Sequence, residues 1–212
     1  MSSSVPAQRV AVYIDGFNLY YGLRSKDWRR YYWLDIHSLA RNILRPNQDL
    51  VLVRYFTAHI TAEPDDPDKP TRQNTYIEAL GTLPNVQIHY GDFRPRTVRC
   101  FECGREWSSP EEKMTDVNIA VEALSDAQDD RFDTAVVISG DSDLVGLVRA
   151  LRQRYSEKRA IIAFPPGRRS DDLRGAATAS FTIGRKLIAD SQLPERVSGP
   201  DGSVWTRPQH WQ

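Results

Sequence analysis

Three aspartates stand where a chain can use carboxylates for chemistry. The run Ala135-Val136-Val137-Ile138 ends in Ser139-Gly140 and then presents Asp141 and Asp143, one residue apart, ahead of the amphipathic pattern Leu144, Leu147, Val148, Leu151. This reads as a buried strand passing through a turn into a helix. The run Val10 to Ile14 repeats the design, ending in Asp15-Gly16 with a helix-like start at Asn18-Leu19-Tyr20. If both strands are central and parallel, Asp15, Asp141 and Asp143 converge on the carboxyl edge of one sheet, where open α/β proteins bind ligands. Carboxylates held that close cannot all stay ionised without a counter-charge, and an oxygen-only ligand set suits Mg2+ or Mn2+. Against this stands a plainer explanation for each residue. Ser, Gly and Asp are ordinary turn formers, and Asp143 could serve only as a helix N-cap.

The elements that must position these residues alternate. After the first strand a short helix is expected over Asn18 to Leu23, then a helix capped by Asp35 and ended by Pro46, and a strand over Leu50 to Thr57. The proline-rich acidic stretch 62–70 reads as a mobile loop. Helical spacing returns through Tyr76, Ile77, Leu80 and Leu83, and Val86 to Tyr90 supplies a third strand. A helix over Thr115 to Ala127 carries Asp116 in its first turn. The Thr134 strand, a helix to Arg154, a strand over Ala160 to Phe164, a helix over Ser170 to Ala177 and a short strand at Phe181 to Ile183 complete the pattern. Strand-helix alternation implies right-handed crossovers and a mainly parallel sheet.

At 212 residues the chain suits one well-buried α/β unit. Its 28 basic and 28 acidic side chains cancel, so total charge neither favours nor excludes a polyanionic partner. Between Arg149 and Arg169, however, seven basic residues face the single acid Glu157, which is either an electropositive face or a merely solvated one. The N-terminus lacks a signal-peptide apolar core and no run approaches membrane-spanning length, so a cytoplasmic protein with no membrane partner is expected. The two cysteines, Cys100 and Cys103, make a disulfide framework unexpected.

Asp15 in YIDGFN, Asp116 in EEKMTDVNIA, and Asp141 and Asp143 in ISGDSD, together with RQNTYIEAL, RRSDDLRGAA and the ending QLP followed by RPQHW, resemble the NYN-domain proteins, a branch of the PIN-like nuclease superfamily. The resemblance covers nearly the whole chain. It implies a PIN-like three-layer sandwich over residues 1–190 with a central mainly parallel sheet, interrupted by an inserted Cys-x-x-Cys hairpin at about 92–112 and followed by an extended C-terminal tail over 191–212. It further implies a metal-dependent ribonuclease acting on RNA, with Asp15, Asp116, Asp141 and Asp143 as catalytic carboxylates and ligands of Mg2+ or Mn2+. Phosphodiester hydrolysis needs an activated water and neutralisation of charge on the non-bridging and leaving oxygens, which carboxylate-held dications supply. Asp15 and Asp141 are expected as principal ligands, with Asp116 and Asp143 completing the set directly or through water. Asn18, Lys113, Ser139 and Ser142 are expected around the substrate. Asn18 would hold a phosphate or a ligand water, Lys113 would meet the scissile phosphate if its loop turns inward, and the serines would donate to the carboxylates. For Lys113 an exposed loop position, and for the serines turn formation, explain the residues as well. Without the family pattern, Asp116 reads as a first-turn carboxylate favoured by the helix dipole.

Cys100-x-x-Cys103 looks like half of a zinc ribbon, yet a structural zinc needs four ligands and no second pair is present. A mixed site with His89 or another histidine, a site shared across a homodimer and a metal-free hairpin stay open, and the metal-free form is the one adopted. Arg94, Arg96, Arg99 and Arg105 suggest that the hairpin guides RNA. Trp205 and Trp211 would suit a homodimer interface as well as intramolecular packing. Two rivals are weak. A haloacid-dehalogenase-type phosphatase would need an Asp where Phe17 stands, and a dinucleotide-binding fold would need a glycine-rich turn that Asp15-Gly16-Phe17-Asn18 lacks. The stronger rival is a non-catalytic RNA-binding protein on the same fold, against which the complete acidic set argues.

Overall fold

The computed structural model describes residues 6–99 and 101–212, the stretches 92–98 and 107–113 by their backbone alone. The chain runs β1 (Gln8–Asp15), α1 (Gly16–Ser25), α2 (Ile36–Asn42), β2 (Gln48–Thr57), α3 (Lys69–Leu80) and β3 (Val86–Tyr90). Strands β4 (Asp92–Arg99) and β5 (Glu106–Lys113) then pair with each other, antiparallel, before α4 (Thr115–Gln128). The second half runs β6 (Thr134–Ile138), α5 (Val145–Arg154), β7 (Arg159–Phe164), α6 (Asp171–Ala176), β8 (Ala179–Thr182) and α7 (Arg185–Ala189). A small antiparallel ribbon of β9 (Arg196–Ser198) and β10 (Val204–Thr206) follows.

Six strands form one sheet in the order β3-β2-β1-β6-β7-β8, and each described pairing within it is parallel. From β1 the first half of the chain winds outward to one side, and from β6 the second half winds to the other. The order therefore reverses between β1 and β6. At such a switch point the two flanking crossovers leave in opposite directions and open a crevice at the carboxyl ends of the strands. Both apolar runs that end in aspartate border it.

Period-2 alternation divides β1 between two cores, as a strand buried on both faces requires. Val10, Val12 and Ile14 pack on one face with Leu19 and Leu23 of α1, Leu39 of α2, Leu80 of α3 and Ile188 of α7. Ala11 and Tyr13 pack on the other with Ile119 and Ala123 of α4, Val148 of α5 and Leu173 of α6. Helices on both faces of a central parallel sheet give the three layers of a PIN-like sandwich. Among the described residues no helix is long and apolar enough to cross a membrane.

The structure adds detail that sequence periodicity does not carry. Asp35 caps α2 as expected, accepting from the Ser38 N–H at 2.8 Å and the Ser38 hydroxyl at 2.7 Å. The acidic loop after β2 is tied to α3 by ion pairs Lys69–Glu63 and Arg72–Asp66. Trp211 is buried against Tyr32, Trp33 and Tyr76, so this tail aromatic is used within the chain, and Trp205 donates its Nε1–H to Glu78 at 2.8 Å. Lys158 does not belong to a basic face. It is buried, with Nζ donating to Asp130 at 2.6 Å and to the Phe132 carbonyl at 2.7 Å.

Candidate active site

Asp15 is the last residue of β1 and the N-cap of α1. Its Oδ1 accepts the Asn18 N–H at 2.9 Å, and its side chain lies almost wholly inside the protein. Because Ile14 of β1 pairs with Ile138 of β6, the residues that follow each strand meet. The buried Ser139 hydroxyl donates to Asp15 Oδ2 at 2.9 Å and accepts the Asp141 N–H at 3.1 Å. The Gly140 N–H donates to Asn18 Oδ1 at 2.9 Å. One strand end is thereby bolted to the other through Ser139 and Asn18. Both of these residues hold the loop that carries Asp141.

Asp141, rather than Asp143, is the cap in this turn. Its carboxylate accepts the Asp143 N–H at 3.0 Å and opens a single 3-10 turn, Ser142–Leu144, that leads into α5. Asp141 is half-buried, while Ser142 and Asp143 are exposed. Two glycines permit this packing. A Cβ at Gly16 would lie 2.7 Å from the Phe56 carbonyl oxygen, and one at Gly140 would lie 2.9 Å from the backbone carbonyl of Arg168.

Asp116 arrives on α4, in the layer opposite to α1, and lies half-buried in the first turn of that helix. Burial pushes its carboxyl up to about 6, and the negative charges of Asp15, Asp141 and Asp143 push in the same direction. Asp15 is likewise raised to about 6, by burial first, with its hydrogen bonds from Asn18 and Ser139 opposing and Asp141 adding to the rise. The four aspartates thus share one electrostatic environment at the switch point. Among the described residues no three His, Cys, Asp or Glu side chains are gathered tightly enough to ligate one ion directly. By donor chemistry alone, a set of carboxylate oxygens with no nitrogen or sulfur ligand suits an oxygen-preferring dication such as Mg2+, which keeps several waters and takes one or two carboxylates. The residues present therefore fit such an ion.

What holds α4 in this register is a buried polar network that sequence reasoning did not single out. Arg54 of β2 donates to Asp126 of α4 through Nε and Nη2, each at 2.7 Å, and its Nη1 lies 2.9 Å from Glu122. The Tyr13 hydroxyl of β1 also donates to Asp126, at 2.9 Å. The signal was available. An arginine in the middle of the apolar strand LVLVRYFT cannot be buried without a carboxylate partner. His89, considered for a mixed zinc site, joins this network instead, with Nε2 at 2.9 Å from Arg54 and its ring stacked on Phe56. Cys103 is exposed, Cys100 lies outside the described residues, and so do the side chains of Lys113, Arg94 and Arg96.

Comparisons with known proteins agree with this architecture. The chain is 25% identical over 243 residues to 6-hydroxy-3-succinoylpyridine 3-monooxygenase of Pseudomonas putida (strain DSM 28022 / S16), covering 96% of this chain and 75% of that protein. Its fold is similar to the crystal structure of a protein of unknown function from Vibrio parahaemolyticus RIMD 2210633, with a TM-score of 0.54 and 22% identity, covering 90% of this chain and 99% of the other. Residues 9–184 match the model of the NYN domain, most of the sheet and both strand-end loops included. The chain belongs to the NYN domain family.

Proposed function

We propose that this protein is a metal-dependent ribonuclease that hydrolyses RNA phosphodiester bonds at the switch-point carboxylates. The observation that carries the reading is that Ser139 ties Asp15 to the loop of Asp141 while α4 brings Asp116 into the same crevice, near enough for the charges of Asp15, Asp141 and Asp143 to act on its carboxyl. Four acids brought to one crevice at a cost in repulsion are accounted for by a cation that the resting protein is built to receive. Asp15, Asp116, Asp141 and Asp143 would hold Mg2+ or Mn2+, in part through water. A bound dication supplies an activated water and neutralises charge developing on the phosphate oxygens.

The chain's own residues do the rest. Asp15 is held inward by hydrogen bonds from the Ser139 hydroxyl and the Asn18 N–H. Asn18, by accepting the Gly140 N–H, sets the height of the Asp141 loop above the strand ends. Ser142 and Asp143 are exposed on that loop and stand where an approaching phosphate backbone is met first. Lys113, at the end of β5 and three residues before Asp116, completes the proposed set as a phosphate contact. The protein needs no membrane partner, and the 1–190 unit with its 92–112 hairpin and 191–212 tail acts as one RNA-processing module.

The test is cleavage of labelled single-stranded and structured RNA with Mn2+, Mg2+ or EDTA, comparing wild type with Asp15→Asn and Asp141→Asn. Metal-dependent cutting, lost in both variants, supports the reading. Equal inertness of all three with equal RNA affinity moves the non-catalytic RNA-binding reading ahead. The monooxygenase-named relative motivates a second reading, oxidation of a small heteroaromatic acid. Oxygen consumption on adding such an acid and a reductant, with no RNA cut under any metal condition, would favour it.

A further inference from the structure

Beside the carboxylate edge, on the α1 side of the sheet, lies a cavity of about 470 Å3 walled by α1, the loop after β2, α3 and the C-terminal turn. That volume is in the range of sites for small organic groups. Its apolar lining combines aliphatic side chains with a cluster of aromatic rings. Tyr20 and Tyr32 have ring centroids 5.0 Å apart and tilted by 58°, while Tyr32 and Tyr76 each meet Trp211 edge-on at 5.9 Å. None of these three pairs is stacked face to face, so no two of these rings cover each other's flat surfaces mutually.

The polar lining sorts into two kinds. Lys69 and Arg72 are engaged with Glu63 and Asp66. Arg24 and Arg29 are exposed, and among the described residues neither has a carboxylate within ion-pair distance. Asp27 and Asp65 line the same cavity as acceptors. A guest that satisfies all of these must be flat and aromatic, carry N–H donors on its ring and bear an anion. A nucleotide has all three and so does a hydroxylated heteroaromatic acid, but only the nucleotide continues into a strand that can reach the carboxylate edge beside the cavity.

We propose that this cavity receives one unpaired nucleobase of the substrate strand, its ring against the tyrosines and its phosphate against Arg24 and Arg29. The inference rests on the ribonuclease reading above and names how that site grips its substrate. Gly16 and Phe17 line the cavity, and Asp15, immediately before them, caps the same helix. A strand anchored here by one base passes the carboxylate edge with the adjoining phosphodiester. The cavity therefore selects single-stranded RNA, because a paired base cannot enter it.

The test separates binding from turnover. The full chain is titrated in EDTA with 5′-phosphorylated trinucleotides of each base and with 6-hydroxynicotinate, following the intrinsic tryptophan fluorescence, to which Trp211 contributes, and melting curves confirm that each variant is folded. Saturable quenching by at least one trinucleotide is expected, weakened about tenfold in Tyr20→Leu by loss of stacking. The double variant Arg24→Gln/Arg29→Gln, altered only at exposed positions, is expected to bind more weakly and with a shallower salt dependence. If Tyr20→Leu does not fold, the arginine variant carries the test alone. Undiminished affinity in the arginine variant, or binding of 6-hydroxynicotinate without binding of any trinucleotide, overturns the proposal. RNA cleavage in Mn2+ by a protein that binds no trinucleotide overturns the cavity and spares the nuclease. Trinucleotide binding that the arginine variant weakens, in a protein that never cuts RNA, upholds the cavity and overturns the nuclease.

Discussion

Replacing Asp126 by alanine tests how α4, and with it Asp116, is set against the sheet. The Asp126 carboxylate takes two hydrogen bonds from Arg54 at 2.7 Å and one from the Tyr13 hydroxyl at 2.9 Å. The two ion-pair side chains are only 8% and 2% exposed, so solvent offers little relief when one is removed. Truncation strands a buried guanidinium, a loss of about 3–5 kcal/mol when one partner of a buried pair is taken away. Glu122 remains 2.9 Å from Arg54 and keeps part of its charge balanced, which places the expectation near the lower end, about 3 kcal/mol. In a chain of this size each kcal/mol lowers Tm by about 2–4 °C, so a fall of about 6–12 °C is expected. Calorimetric melts of wild type and Asp126→Ala at pH 7, in EDTA, make the measurement. A drop smaller than about 2 °C would mean that Arg54 finds water or another partner at no cost and that the pair does not set α4 in place.

Two further predictions follow from the site. Gly140→Ala is expected to cost about 1–3 kcal/mol in denaturant unfolding, because its Cβ would press on the Arg168 backbone at 2.9 Å. Gly146→Ala, where a Cβ meets nothing within 4 Å, is the control, expected to be neutral or slightly stabilising. In metal-free protein Asp15 holds its proton up to about 6, against an unfolded value of about 3.9. Between those values the native state binds more protons than the unfolded chain, so this group removes stability as pH rises from about 4 to about 6. Asp15→Asn, which carries no charge to desolvate, is therefore expected to be about 2–3 kcal/mol more stable than wild type at pH 7, the gain vanishing near pH 4. Unfolding in EDTA at the two pH values checks this, and an asparagine variant less stable at pH 7 would contradict it.

The parallel sheet was legible because its central strands are written twice over, in unbroken apolar runs and in the turn residues that stop them. Asp15 and Asp141 stand at the edge because each directly follows or nearly follows such a run. Asp116 was different. Its approach to the other three depends on the rotation of α4, which the Arg54–Asp126 pair sets between residues 72 positions apart. No local pattern encodes that distance, although a lone arginine within a buried strand did announce that some carboxylate must meet it. Short elements also escaped. Helix α7 and the β9–β10 ribbon, at five and three residues each, are too brief for periodicity to show. The aromatic cavity was invisible for the same reason as Asp116, since Tyr20, Tyr76 and Trp211 come from three distant segments and share no spacing.

Of the four carboxylates proposed to form one catalytic metal centre, Asp116 is the member whose role most depends on the three-dimensional arrangement. The most direct measurement is the rate of Mn2+-dependent cleavage of single-stranded RNA by Asp116→Asn, beside Asp129→Asn at the far, exposed end of the same helix. Loss of at least about a hundredfold in Asp116→Asn with Asp129→Asn unchanged is the predicted result, since even residues that only orient metal ligands cost 10–100-fold when removed. Cleavage by Asp116→Asn at the wild-type rate would contradict the account, leaving Asp116 a helix-end carboxylate that happens to face the site.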